Sequence, residues 1–240
     1  EILKAANIDL KADQTTTFNG RASSINAAVV GGSGAVVRND IDSTVKALID
    51  DNSQLKTDEL DLIAHNTINK PWLSGNAHNA KAGSGGLIDG AASSSHSDID
   101  LTTDVIVGAN SSINDIETTD DQNPENSALE AVNTVNTRDK TKLDAGGAIS
   151  VALTESKINV NSSTAVKLEN GAVITAPGSV NLTAAANADL ETDTRAKTYG
   201  GAGAAQGTAE SDYDGTNTIE INENAGITSL QDINLYAGPG

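Results

Sequence analysis

Apolar residues recur at every second position along most of this chain. Ile99/Leu101, Ile149/Val151/Leu153, Ile158/Val160, Val166/Leu168 and Ile219/Ile221 all keep that spacing. A period of two places the apolar set on one face of a β-strand, because successive side chains point to opposite sides of the pleat. The longest run is Ala188 to Thr198, where Ala188, Leu190, Thr192, Thr194, Ala196 and Thr198 alternate with Asp189, Glu191, Asp193, Arg195 and Lys197. A helix through this run would carry charge all the way round and bury nothing, so a strand with one solvated face is predicted. The segments ENGA, PGS, NENAG and GANSS separate the strands, their Gly and Asn supplying tight or left-handed turn conformations.

The pattern repeats. Residues 165–184 (AVKLENGAVITAPGSVNLTA) align without a gap on residues 218–237 (TIEINENAGITSLQDINLYA), an offset of 53 residues. Val166, Leu168, Ile174, Val180 and Leu182 thereby match Ile219, Ile221, Ile227, Ile233 and Leu235, and these ten are the predicted structural core. Earlier echoes are Ile8/Leu10/Ala12, Leu60/Leu62/Ala64 and Val105/Val107/Ile113. Self-similarity at this period predicts one continuous β-solenoid over residues 1–240, built from units of about 52–64 residues. The expected build is parallel coils of about 20 residues, each stacked on the last. The second half of each matched pair should then be as buried as the first. Both ends fall inside a unit, so the chain reads as an excerpt of a longer array.

Composition sharpens this picture. One Phe, three Tyr and one Trp among 240 residues leave little to fill a thick core. Val, Ile, Leu, Ala and Thr stacked along an axis fill a thin one. The net charge of −18 argues against nucleic acid and against an anionic membrane surface, both of which need clustered Lys or Arg. No stretch is apolar enough for a membrane helix. The absence of Cys removes disulfides, thiolate metal sites and Cys nucleophiles.

Candidate chemistry is sparse. The Gly-rich segments 31–37, 83–90 and 200–207 lack the Lys-Ser/Thr of a phosphate loop and read as tight corners. His65, His78 and His96 form no ligand pair. Acid pairs such as Asp50/Asp51, Asp120/Asp121 and Asp212/Asp214 are the residue types of a polysaccharide hydrolase or lyase, but the basic residues such a lyase needs beside them are not clustered. Catalytic residues and a cofactor are therefore not expected. Calcium is the one ligand to weigh, at Asp98, Asp100, Asp104, Asp212 and Asp214, against the plainer reading of a solvated acidic face. Trp72, after Pro71 in a polar run, is expected to cap the edge of a thin core, with an exposed contact for a partner as the alternative.

An opening strand, an NGA turn, a PGSVNLTA-like closing strand, an alternating small/charged strand and a Gly-rich corner recur in that order. This arrangement resembles the repeat region of leukotoxin-type and filamentous-haemagglutinin-like bacterial adhesins exported by two-partner secretion. The resemblance implies a right-handed parallel β-helix, an extracellular place on the bacterial cell surface, and a non-catalytic role as a shaft segment of a fibre. Its implied partners are further copies of its own repeat, end to end or side by side, and neighbouring cell surfaces. The alternatives are a polysaccharide-active lyase- or hydrolase-like β-helix and a ligand-binding surface. Residues 118–144 break the pattern and predict a loop excursion, with a short helix opening at Pro124 and carrying Ala128, Leu129, Val132 and Val135.

Overall fold

The computed structural model describes residues 2–115 and 126–240. In chain order its strands are β1 (Ile2–Lys4), β2 (Asn7–Thr17), β3 (Ala22–Ala27), β4 (Val30–Ile49), β5 (Gln54–Thr57), β6 (Glu59–Lys70) and β7 (Ala80–Val107). They continue with β8 (Ser112–Asp115), β9 (Ser127–Leu168), β10 (Val173–Ala176), β11 (Val180–Tyr199), β12 (Ala202–Ile221), β13 (Gly226–Ser229) and β14 (Ile233–Pro239). They form two sheets. The smaller has the order β1-β5-β8-β10-β13, and the larger runs β14-β11-β9-β6-β2, with β3, β4, β7 and β12 completing it.

The chain alternates between the two sheets. A short strand in the small sheet leads into an outgoing limb of the large one, which bends back as a return limb. Strand β9 shows both: residues 127–146 pair with β11, and residues 149–168 pair with β12. The limbs face each other across buried side chains. Ile68 and Val135 of outgoing limbs meet Ile99, Leu101, Ile158 and Val160 of return limbs in one cluster. Nearer the bend, Ala80, Ala82, Leu143 and Ala145 meet Ala35, Val37, Ala91 and Ala152. Residues this small are what let the limbs close tightly there. The thickest cluster lies beside the small sheet, where Leu60, Leu62, Val105, Val107, Ile113, Leu129, Val166, Leu168, Ile174, Val180 and Leu182 pack together.

Buried amides and hydroxyls tie limb to limb between the apolar clusters. Ser43 donates to Asn66 Oδ1 at 2.9 Å, Thr103 donates to Asn133 Oδ1 at 2.5 Å, and Asn133 Nδ2 donates to Ser162 at 2.8 Å. Each group is satisfied, as a buried polar group must be if it is not to cost stability. Turns back to the small sheet use the left-handed residues Asn52, Asn110, Gly171 and Asn224. The opposite bend needs glycine for a different reason. A Cβ on Gly147 would lie 2.5 Å from the Gly86 carbonyl oxygen, and one on Gly200 would collide with the Gly147 carbonyl.

Several expectations are corrected. Among the described residues all pairings are parallel and the structure is all-β, but the periodic right-handed β-helix of short coils is not formed. Paired residues are 52, 58, 61, 67 or 53 positions apart depending on where in the chain they lie, so the spacing is irregular. The limbs are also far longer than an edge of a 20-residue coil, the two within β9 spanning residues 127–146 and 149–168. Out-and-back limbs of this length pack against each other, and a thick two-sheet unit results. Its accessible surface of 11435 Å² stands close to the roughly 10,000 Å² of a compact globular chain of this mass. That overturns the reading as an extended, filamentous, fibre-forming shaft of repeats, and with it the resemblance to two-partner-secreted adhesins.

The excursion and helix are corrected too. Ala128, Leu129, Val132 and Val135 are on β9, paired with β6 and β11, while Pro124 and the rest of 118–125 lie outside the described residues. The alternation of buried Leu129, Ala131 and Val135 with outward polar residues decides for strand. Among the ten core residues, Val166, Leu168, Ile174, Val180 and Leu182 are buried, and each is in register with its partner 53 residues on. Ile219 and Ile227 are half-buried, but Ile221, Ile233 and Leu235 are exposed, against expectation. The register is as aligned, so a slip is not the cause. Strands β13 and β14 stand at the ends of their sheet orders and β12 is an outermost return limb, so among the described residues no strand covers their outer side.

Candidate functional site

Outward-facing residues of neighbouring return limbs stand in line because the parallel register stacks position on position. Asp40 is opposite Asp98, Asp98 opposite Asn159, and Asn159 opposite Asp212; two residues on, Asp42, Asp100, Asn161 and Asp214 form a second row. Buried Ile99 and Val160 lie between the rows and anchor the strands from below. The rows of β7, β9 and β12 line an open groove of about 700 Å³ with Tyr213. Asn159 Nδ2 donates to Asp98 Oδ1 at 2.6 Å, and Asn161 Nδ2 donates to Asp100 Oδ1 at 2.6 Å. The amides thus hold the carboxylates of the preceding limb in one orientation, leaving the remaining oxygens open to solvent.

Four of the five acids singled out from sequence, Asp98, Asp100, Asp212 and Asp214, therefore share one groove. Asp104 does not join them; it is buried and faces Lys46, whose Nζ is 3.5 Å from its Oδ2. Among the described residues no three His, Asp or Glu side chains converge as they would on a metal ion. Sequence reasoning missed Asn159, Asn161 and Tyr213. The signal was there as a recurring x-Ile/Val/Tyr-x triplet, in DID at 40–42, DID at 98–100, NVN at 159–161 and DYD at 212–214.

The other candidates are dispersed. Asp51 Oδ1 accepts from the Ala109 amide at 2.7 Å and so closes a turn. Asp120/Asp121 lie outside the described residues. His65 sits 3.2 Å from Glu130 and 3.4 Å from Asp13, and His96 sits 3.1 Å from Glu155. Trp72 is exposed and does not cap the core as expected.

A second unforeseen cluster is buried between the limbs. Lys70 and Asp139 are both fully buried, with Lys70 Nζ 3.1 Å from Asp139 Oδ1 and donating to Ser97 Oγ at 2.9 Å. The ammonium also lies 5.9 Å from the centre of the Phe18 ring. Burial pulls the Lys70 pKa down, and the attraction of Asp139 only partly offsets it. Closed off from solvent, this pair serves the packing of the limbs, whereas the outer groove is accessible to a ligand. No family model, curated protein or solved structure matches this chain.

Proposed function

We propose that the chain is a polysaccharide-binding module without catalytic turnover, and that the groove between the two Asp/Asn rows is its binding surface. The supporting observation is the pair of rows itself. Asp98, Asn159 and Asp212 run parallel to Asp100, Asn161 and Asp214 across three adjacent limbs. Neighbouring strands are about 4.8 Å apart, close to the length of one ring in a linear saccharide. Each sugar unit laid across the strands thus meets a fresh carboxylate or amide. Carboxylates accept from hydroxyl groups and the Asn amides both donate and accept, a donor and acceptor set suited to a polyol. The net charge of −18 selects neutral or amine-bearing chains over anionic ones. Binding is favoured over hydrolysis because the four lining carboxylates, Asp98, Asp100, Asp212 and Asp214, stand on one sheet face. A glycosidase holds two carboxyl groups on either side of the scissile bond.

The test is affinity electrophoresis against a panel of neutral, amine-bearing and anionic polysaccharides, with the Asp100→Ala/Asp214→Ala double variant alongside. Retardation by a neutral or amine-bearing polymer, weakened at least tenfold in the variant while far-UV circular dichroism is unchanged, supports the reading. Retardation unaffected by the variant, retardation by anionic polymers alone, or none at all overturns it. New reducing ends released on incubation would show turnover and refute the non-catalytic half.

A further inference from the structure

The outer face of the return limbs also carries an uncharged apolar patch near the bend. Its outward positions are Val30, Gly32 and Gly34 on β4, Ile88, Gly90 and Ala92 on β7, Ile149, Val151 and Leu153 on β9, and Ala202, Ala204 and Gln206 on β12. Ile149 is 54% exposed, Val151 42% and Leu153 48%. Exposed aliphatics are ordinary singly, but together with Val36 and the corner residues Val29 and Leu87 these present roughly 800 Å² of apolar surface. That is about what one partner contributes to a standard stable interface.

The relief of this patch is as informative as its area. Ile149, Val151 and Leu153 form a ridge along β9. Beside it, Gly32, Gly34, Gly90 and Ala92 leave an open trough of about 480 Å³ whose other wall is Val151 and Leu153 themselves. Ridge and trough lie side by side on one surface, so two copies facing each other can seat each ridge in the other's trough. That reciprocal contact is what a two-fold symmetric interface requires.

We propose that this face is a homodimer interface, with Val151 and Leu153 of each copy inserted against Gly90 and Ala92 of the other. The self-complementary ridge and trough point to a second copy as the occupant, and the charge distribution allows it. A chain of net charge −18 repels its own kind, and this stretch of return limb has no charged outward residue across twelve neighbouring positions. Two copies therefore meet here with the least Coulomb cost, and the buried contact is apolar on both sides. The acidic groove begins six residues further along the same limbs, about 20 Å away at the rise of a strand, so the two surfaces are separate.

Sedimentation velocity over a range of protein concentration tests this on the full chain. The wild type should be a dimer at about 10 µM, the range expected for an interface of standard size. The dimer should tighten as NaCl rises, because salt screens repulsion between the acidic copies. Leu153→Asp should be monomeric. Gly90→Val is the sharper variant, since a Cβ there meets no atom within 4 Å in the single chain. It fills the trough without strain and should yield a monomer whose thermal midpoint is equal to or above that of wild type. A wild type that stays monomeric at about 100 µM, a G90V protein that still dimerises, or open-ended assembly in place of a dimer each overturns the proposal. Loss of saccharide binding in the Asp100/Asp214 variant leaves it untouched, because the two faces share no residue.

Discussion

Replacing Lys70 by Met tests the interior most directly, because it removes one charge from a pair that no water reaches. Lys70 and Asp139 have no solvent-exposed surface, and their charged atoms are 3.1 Å apart. At an effective dielectric near 20, that separation corresponds to an attraction of about 5 kcal/mol. Met fills most of the lysine volume, so packing changes little and the loss is electrostatic. Asp139 then keeps only the Lys140 amide, 3.0 Å from Oδ1, while its Oδ2 has no partner. Breaking a buried pair from one side typically costs about 3–5 kcal/mol, since the surviving charge stays desolvated. For a chain of this size that lowers the thermal midpoint by roughly 10 °C. Urea denaturation followed by circular dichroism should show a reduced midpoint with an unchanged slope. Lys70→Met/Asp139→Leu removes both charges and should recover most of the loss. A single variant costing less than about 1 kcal/mol would mean that Asp139 finds other partners or water, and the account of a sealed ion pair would be wrong.

Gly147→Ala should destabilise by about 1–3 kcal/mol in the same urea assay, because the added methyl meets the Gly86 carbonyl and the bend cannot open without separating the limbs. Leu168→Ala, at a fully buried site of the thickest cluster, should cost about 2–5 kcal/mol through lost burial and the cavity left behind. Burial first, and then Lys140, Lys142 and Lys81, hold the His78 imidazole below its ordinary value of 6.5. The folded state thus binds fewer protons than the unfolded one. The stability linked to this group is complete above pH 6.5 and is lost as pH falls through the lower folded value, a slope that His78→Gln should flatten. Asp42→Asn should stabilise by about 0.2–1 kcal/mol, since Asp42 stands directly opposite Asp100.

The strands were legible because their period is local: each apolar residue is two positions from the next, and the pleat converts that into a buried face. The gapless match of 165–184 on 218–237 also pairs the residues that the structure pairs, Val180 with Ile233 and Leu182 with Leu235. How the strands close was not legible. The same alternation serves a short coil edge and a 42-residue strand that bends back on itself as two limbs, and periodicity does not distinguish them. The exposure of Ile233 and Leu235 escaped for a related reason: a pattern reports which way a side chain points and not whether another layer covers it. Lys70 went unnoticed because its partner is 69 positions away and only the facing of two limbs brings them together. The acidic groove was half visible, its Asp residues noted singly, while Asn159 and Asn161 acquire meaning only when stacking sets them between acids.

That stacking makes the groove costly to keep. In a parallel register every residue stands beside its counterparts, so Asp40 faces Asp98 and Asp42 faces Asp100, and like charges directly opposite one another destabilise a sheet. Elsewhere the chain offsets its charges across strands: Lys157 meets Glu210, Arg138 meets Asp189 and Glu191, and His96 meets Glu155. Among the described residues no ion pair reaches the Asp rows, and Lys157, paired with Glu210, adds only a longer-range attraction to Asp212. The amides of Asn159 and Asn161 orient the carboxylates of Asp98 and Asp100 without neutralising them. A fold that pairs its charges on most of these limbs and leaves one groove open, acidic and ordered is spending stability on that surface. Conflict between local stability and local chemistry is the mark expected of a binding site. Under the proposed function, a polyol or amine laid across the rows would supply the hydrogen-bond donors that the limbs themselves withhold.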